Sequence, residues 1–185
     1  MVHFFGYGPL AYGHVMAAVT GRNHGLGQPA LLPDYYLGIQ KLSQIPEKPR
    51  QFLTKTWGEN FESYGVVPDS RIAKPISNVE KGVKGIIWTI PKDELEIVKN
   101  WFMSDTDWFT IVEVEACGKR GMLTAQVAVL GENQTVDRII PGIHYDVFPE
   151  KEGSVVQQYI DVANHFREDY MSTHPRYEGD RGRRK

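Results

Sequence analysis

Residues 3–14 of the chain read His3-Phe4-Phe5-Gly6-Tyr7-Gly8-Pro9-Leu10-Ala11-Tyr12-Gly13-His14. An apolar run typical of a buried strand breaks into a glycine-rich loop, and the helix-compatible run Val15-Met16-Ala17-Ala18-Val19 follows. The stretch therefore predicts a strand, a tight loop and the start of a helix. Because glycine permits close approach and unusual dihedral angles, backbone N–H groups of the loop can face an anion or a carbonyl oxygen. We interpret the loop as a candidate ligand cradle; the alternative is a strand-to-helix turn that binds nothing.

The composition narrows the class of protein. The chain has 185 residues, of which 41% are hydrophobic and 24% charged, as is ordinary for a soluble globular protein. A net charge of -2 gives no general attraction to nucleic acid or to a membrane surface, and we predict neither as a partner. The single cysteine, Cys117, cannot form an internal disulfide, which favours a reducing, cytoplasmic location. No apolar run approaches the roughly 20 residues that span a bilayer, and no signal peptide is expected.

The chain divides into one predicted domain and a tail. We place the domain at residues 1–172 and a basic, flexible tail at residues 173–185. Residues 41–80 lack clear periodicity and are predicted to be an irregular segment that covers a pocket or meets a protein partner. The tail is a second candidate for a protein contact, and as a nucleic-acid site it would be weak and salt-sensitive.

The remaining patterns predict the fold class. A second strand is expected within residues 30–40, and a buried strand at 85–90 precedes a helix that starts at Pro91. Strands at 108–117 and 123–130 are joined by a hairpin connection at 118–121, and a last helix starts at Ser154. Helices mixed with antiparallel pairs favour an α+β domain with a mixed, curved or barrel-like β-sheet and flanking helices.

Several of these segments resemble one family in their order and spacing. They are Tyr7-Gly8-Pro9-Leu10, Pro29-Ala30-Leu31-Leu32-Pro33-Asp34-Tyr35-Tyr36-Leu37, and Val83-Lys84-Gly85-Ile86-Ile87-Trp88-Thr89-Ile90, which leads into an acidic-start helix and a hairpin. Over residues 3–130 the chain resembles the gamma-glutamylcyclotransferase-like family, whose members open with a Tyr-Gly-Ser-Asn-Leu or Tyr-Gly-Thr-Leu cradle. The Gly8-Pro9-Leu10 core is also similar to the C-terminal domain of allophanate hydrolases, which extends the implied substrates to carbamoyl compounds.

The resemblance implies a ring-closing reaction. The α-amine of a γ-glutamyl group attacks its own γ-carbonyl, 5-oxoproline forms and an amine leaves. Holding the chain folded supplies much of the acceleration, and a carboxylate moves the proton. The family places that glutamate late in the helix after the third strand, where this chain has Phe102, and Lys99 stands in place of the preceding aspartate. The Ser/Asn pair of the cradle is replaced by Pro9 and Leu10, and Pro9 has no N–H to donate.

Two residues are candidates for the missing acid–base group. Asp105, with Asp107 beside it, follows Phe102 closely enough to reach the same rim; the alternative is that both are turn and cap residues. His14 follows the cradle, where a histidine can act as an acid or a base; the alternative is a helix-start or surface histidine.

The predicted substrate contacts come from the cradle, Gly6, Tyr7, Gly8, Pro9 and Leu10, together with Arg22. Arg22 can bind a carboxylate with two hydrogen bonds, or it is a surface charge at a helix end. We expect no cofactor and no metal, since His144 and Asp146 suit two metal ligands but lack a third.

Aromatic residues are candidates for a pocket wall. Trp57, Phe61 and Tyr64 lie in the irregular middle, and Tyr35 and Tyr36 in the second strand. They can wall a pocket for an amphipathic ligand or pack the middle segment onto the domain.

The main prediction is a diverged enzyme that acts on a small γ-glutamyl, amide or carbamoyl substrate. The alternative is a non-catalytic binding module or complex subunit on the same fold.

Overall fold

A computed structural model describes residues 1–72, 81–140 and 152–174, with side chains from residue 155 onward in the last range. The predicted pair His144 and Asp146, the side chain of Ser154 and most of the basic tail lie outside the described residues. The described strands are β1 Val2–Gly6, β2 Gln28–Leu32, β3 Tyr35–Lys41, β4 Glu62–Pro68, β5 Val83–Ile90, β6 Phe109–Gly118, β7 Gly121–Leu130 and β8 Arg138–Ile140. The described helices are α1 Gly13–Thr20, α2 Glu47–Trp57, α3 Lys92–Trp101 and α4 Glu152–Thr173.

Five strands close into a barrel. The order β1-β5-β2-β6-β7 returns to its start because β1 also pairs in parallel with β7, at Phe4 and Gln126. On the far side of β7 the sheet continues through β4, β3 and β8. The fold is α+β with a mixed β-barrel and flanking helices, which confirms the predicted class.

The apolar run at the start of the chain serves two cores. Phe5 points into the barrel with Leu32, Ile87 and Val127, while its neighbour Phe4 packs outward against the helices. Successive residues of a strand face opposite sides, so β1 is buried on both faces. This double burial explains why β1 is a continuous apolar run rather than an alternating one.

The prediction of an irregular segment at residues 41–80 is wrong over residues 41–72, and the remaining residues of that segment lie outside the described residues. Residues Glu47–Trp57 form α2, and β4 pairs antiparallel with β3 over Glu62–Pro68. Pro49 suggested a loop, but it occupies the first turn of α2, where a missing N–H costs nothing. Gly65 interrupts the β-branched pattern of β4 in the sequence. In the structure this position is buried, and the side chain of Leu130 fills the space that a Cβ would occupy.

The later elements follow the predicted order. The β6–β7 hairpin turns at Gly118–Gly121, as predicted. Helix α4 begins at Glu152, two residues before the predicted start, and packs along α1. None of the helices that the structure describes combines the length and the hydropathy needed to cross a membrane.

Candidate functional site

The cradle loop after β1 is a short 3₁₀ turn at Gly8–Ala11. Gly8 adopts φ +53, which glycine accepts without strain. The Leu10 N–H donates to the Tyr7 carbonyl at 3.2 Å, and the Trp88 indole N–H donates to the Leu10 carbonyl at 2.8 Å. The loop is therefore held by β5. As expected, Pro9 has no N–H to offer, and the N–H of Leu10 is bonded within the loop, so neither position presents a donor to a ligand.

Tyr7 anchors the loop to the barrel. Its side chain is 4% exposed, its hydroxyl donates to the Ala128 carbonyl at 2.8 Å, and the Val66 N–H donates to the same hydroxyl at 3.4 Å. Burial raises the pKa of the Tyr7 phenol well above its ordinary value, an effect that the Val66 N–H only partly opposes. The ring therefore lines the site as a neutral, fixed surface.

We expect Tyr7→Phe to flatten the loss of stability at alkaline pH. The unfolded phenol ionises near its ordinary pKa of 10.0, whereas the folded phenol stays neutral, so its contribution is present below pH 10.0 and is lost as the pH rises above it. The variant should be about 1 kcal/mol less stable at pH 7 for the lost hydrogen bond. Urea denaturation between pH 7 and about pH 11 measures both effects. A variant whose stability falls with rising pH as steeply as that of the wild type would contradict the assignment.

A large cavity opens beside the cradle. Its volume is about 980 Å³, and Tyr7, Gly8, Pro9 and Leu10 form part of its wall. The rest comes from α2, β4, the end of α3, the start of β6 and α4. Many of these lining residues are aromatic: Phe52, Trp57, Phe61, Tyr64, Trp101, Phe102, Trp108, Phe109, Tyr159, Phe166 and Tyr170. Of the predicted wall residues, Trp57, Phe61 and Tyr64 line the cavity, whereas Tyr35 and Tyr36 are not among the lining residues.

Phe102 lies at the junction of the cradle and the cavity. It follows the last residue of α3, and its ring centroid is 6.3 Å from that of Tyr7 and 5.2 Å from that of Phe109. The position that the resemblance assigns to a proton-transferring carboxylate is thus part of an aromatic floor next to the loop.

Helix α4 covers one side of the cavity. Tyr159 contacts Trp57 of α2 at a centroid distance of 4.8 Å, and Phe166 meets Trp101 edge-on at 5.3 Å. Burial raises the pKa of Tyr159, so this phenol is also neutral at physiological pH. The cavity therefore runs along α4, between α4 and α2.

The predicted acid–base residues lie outside the lining. Asp105 is exposed and pairs with Lys48 of α2 at 2.8 Å, and the hydrogen bond from Lys48 lowers the pKa of Asp105. Lys48 itself lines the cavity. His14 is an exposed residue in the first turn of α1. A role for Asp105 or His14 in catalysis stays a prediction.

Arg22 belongs to a separate cluster around the buried carboxylate of Glu94. Its guanidinium Nε lies 3.2 Å from Oε1 of Glu94, and His24 Nε2 lies 3.2 Å from Oε2 of the same carboxylate. The Thr20 hydroxyl is 2.8 Å from His24 Nε2. Arg22 is not among the cavity-lining residues, and its predicted contact with substrate stays a prediction. From the sequence, Glu94 was recognised only as an acidic residue in the first turn of a helix. Its partners Arg22 and His24 are distant in the chain, and no residue near Glu94 indicates them.

Several polar residues of the site escaped the sequence analysis, among them three on α4. Asp161, His165 and Asp169 line the cavity from α4 at a spacing of four residues, next to the apolar stripe. Their i, i+4, i+8 spacing was visible, but charged residues at this spacing usually form a solvated helix face. Among the described side chains, no group of His, Cys, Asp and Glu is arranged to hold a metal ion.

Comparison with known proteins identifies the fold. No protein-family model matches the chain, and no curated protein matches it. Among solved structures, a gamma-glutamyl cyclotransferase is similar at a TM-score of 0.56 and 14% identity, over 93% of this chain and 85% of that chain. An uncharacterized protein from Homo sapiens is similar at a TM-score of 0.52 and 16% identity, over 78% of this chain and 73% of that chain. The chain therefore has the gamma-glutamylcyclotransferase-like fold.

Proposed function

We propose that this protein binds a small γ-glutamyl, amide or carbamoyl compound in the cavity beside the cradle loop. The apolar body of the ligand would lie on the aromatic floor at Phe102, beside the cradle loop, with its polar groups toward α2 and α4. The observation that carries the proposal is the aromatic cavity of about 980 Å³ that opens on this loop. Small-molecule sites are typically concave and mostly apolar, with a few polar groups that set the orientation.

Binding is the function that the geometry supports best. Ring closure needs a group that takes a proton from the attacking ammonium, and a phenylalanine at position 102 cannot do this. The carboxylates among the described lining residues are those of Asp161 and Asp169, both on α4. The floor next to the cradle is aromatic, which suits an apolar ligand surface better than a proton transfer.

A diverged amide-cleaving enzyme is the second candidate. His165 favours it, because a histidine between two aspartates on the cavity side of α4 has the chemistry of a general acid–base group. Asp105 and His14 remain alternatives for the same role. A cytoplasmic location fits either candidate.

Tryptophan fluorescence tests the binding proposal. Trp57, Trp101 and Trp108 line the cavity, so a ligand that enters it should change their emission. The panel consists of γ-glutamyl amines, γ-glutamyl amino acids and small acyl-ureas. Phe102→Trp fills part of the floor and should weaken binding about tenfold. Met122→Trp is the matched control, since Met122 is 53% exposed on β7 and is not a lining residue. If no compound binds, or if both variants bind like the wild type, the proposal fails.

Turnover separates the two candidates. The same panel is incubated with the protein, and 5-oxoproline and free amine are followed by mass spectrometry. Turnover that is lost in His165→Asn, in Asp105→Asn or in His14→Asn would identify the acid–base group and establish the enzyme. Binding without turnover would support the non-catalytic alternative.

A further inference from the structure

The two helices that flank the cavity carry opposite charges on the sides that line it. Helix α2 contributes Lys48 and Lys55, and α4 contributes Asp161 and Asp169. Between these walls lies the aromatic floor. The charges of a bound molecule would therefore be sorted by position, positive toward α4 and negative toward α2.

The α4 wall has two carboxylates available to a ligand. The Gln157 amide donates to Oδ1 of Asp161 at 2.9 Å, and no cation within the described residues pairs with Asp161 or Asp169. Aromatic rings line the same side, and their faces also attract a cation. An ammonium group near α4 would thus meet two carboxylates and the aromatic faces.

The α2 wall has one ammonium already paired and one available. Lys48 pairs with Asp105, whereas Lys55 forms no ion pair with any residue that the structure describes. Lys48 and Lys55 are seven residues apart, about two turns, and so lie on one side of α2. A carboxylate near α2 would meet Lys55 directly and compete with Asp105 for Lys48.

We infer that the cavity selects a zwitterionic molecule with an apolar or aromatic body, its carboxylate toward α2 and its ammonium group toward α4. This inference rests on the proposed function, because it names the ligand class of that cavity. Charge complementarity of this kind sets orientation and specificity more than raw affinity. The charged residues of both walls are exposed at the rim of the cavity. Each wall therefore contributes only a modest, salt-sensitive part of the free energy of binding.

Four probes that share one phenylethyl body test the inference: phenylalanine, phenethylamine, phenylpropionate and phenylpropionamide. At pH 7 they are zwitterionic, cationic, anionic and neutral. Binding to the full chain is measured by tryptophan fluorescence at low salt. Phenylalanine should bind tightest and the neutral amide weakest, with about three- to tenfold between successive charge states. Added salt should reduce these differences.

Paired substitutions assign each charge preference to one helix. Asp161→Asn with Asp169→Asn should remove the preference for the ammonium group and leave that for the carboxylate. Lys48→Gln with Lys55→Gln should do the reverse. Glu168→Gln on α4 and Lys84→Gln on β5 are the matched controls, since both residues are exposed and neither lines the cavity. They should bind all four probes like the wild type.

Failure of this inference and failure of the proposed function give different results in these experiments. Equal affinity for all four probes, or paired variants that change all four alike, would overturn the inference while leaving the cavity a binding site. If none of the four probes binds, the proposed function fails for ligands with this body, and the inference fails with it.

Discussion

Glu94→Ala is expected to lower the free energy of unfolding by about 3–5 kcal/mol. The Glu94 side chain is buried, as is that of His24, and the carboxylate lies 3.2 Å from both the His24 imidazole and the Arg22 guanidinium. Truncation leaves the buried imidazole without its carboxylate, whereas the Arg22 side chain, 47% exposed, can turn toward water. Guanidinium denaturation at pH 7 measures the loss.

Glu96→Ala is the matched control for this prediction. Glu96 lies two residues further along α3, is exposed, and pairs with Lys99 at 2.7 Å within the same helix. An exposed pair of this kind contributes about 0.5 kcal/mol or less. Glu94→Gln should fall between the two alanine variants, since it keeps the volume and loses the charge. If the Glu94 and Glu96 alanine variants unfold at the same denaturant concentration, the buried cluster does not stabilise the fold as argued.

Gly6→Ala is expected to cost about 2–3 kcal/mol and to weaken ligand binding in the cavity at least about tenfold. A Cβ at Gly6 would overlap the backbone carbonyl oxygen of Leu10 and lie 2.7 Å from the Trp88 indole nitrogen. Neither can move aside cheaply, because the two are joined by a hydrogen bond and Trp88 is buried. The methyl group would therefore displace the cradle turn. Urea denaturation and the fluorescence titration measure the two effects.

Gly8→Ala separates a displaced turn from simple backbone strain. A Cβ at Gly8 meets no heavy atom within 4 Å, but the residue has φ +53. The left-handed conformation alone costs a non-glycine residue about 1 kcal/mol. We expect this smaller loss of stability, and the two variants are compared by stability alone because Gly8 lines the cavity. Equal effects of the two alanine variants would mean that the contact between Gly6, Leu10 and Trp88 does not position the cradle.

Elements with a strong local pattern could be predicted from the sequence. The β1 run, the strand predicted at 85–90 and the hairpin at 118–121 combine β-branched or aromatic residues with turn residues, and these preferences act between neighbours in the chain. Helix α2 could not be predicted in this way. Pro49 and scattered aromatic residues hid an element whose apolar side packs against parts of the chain distant in sequence.

The sequence by itself determined the strand–loop–helix start, the α+β class and the aromatic supply for a pocket wall. Only the tertiary structure decided that β1 closes the barrel on β7, that Glu94 receives Arg22 and His24, and that α2 and α4 face each other across the cavity. The physical reason is that periodicity reports which side of an element is buried. What that side is buried against depends on packing between residues far apart in the chain, and the site is made of such contacts.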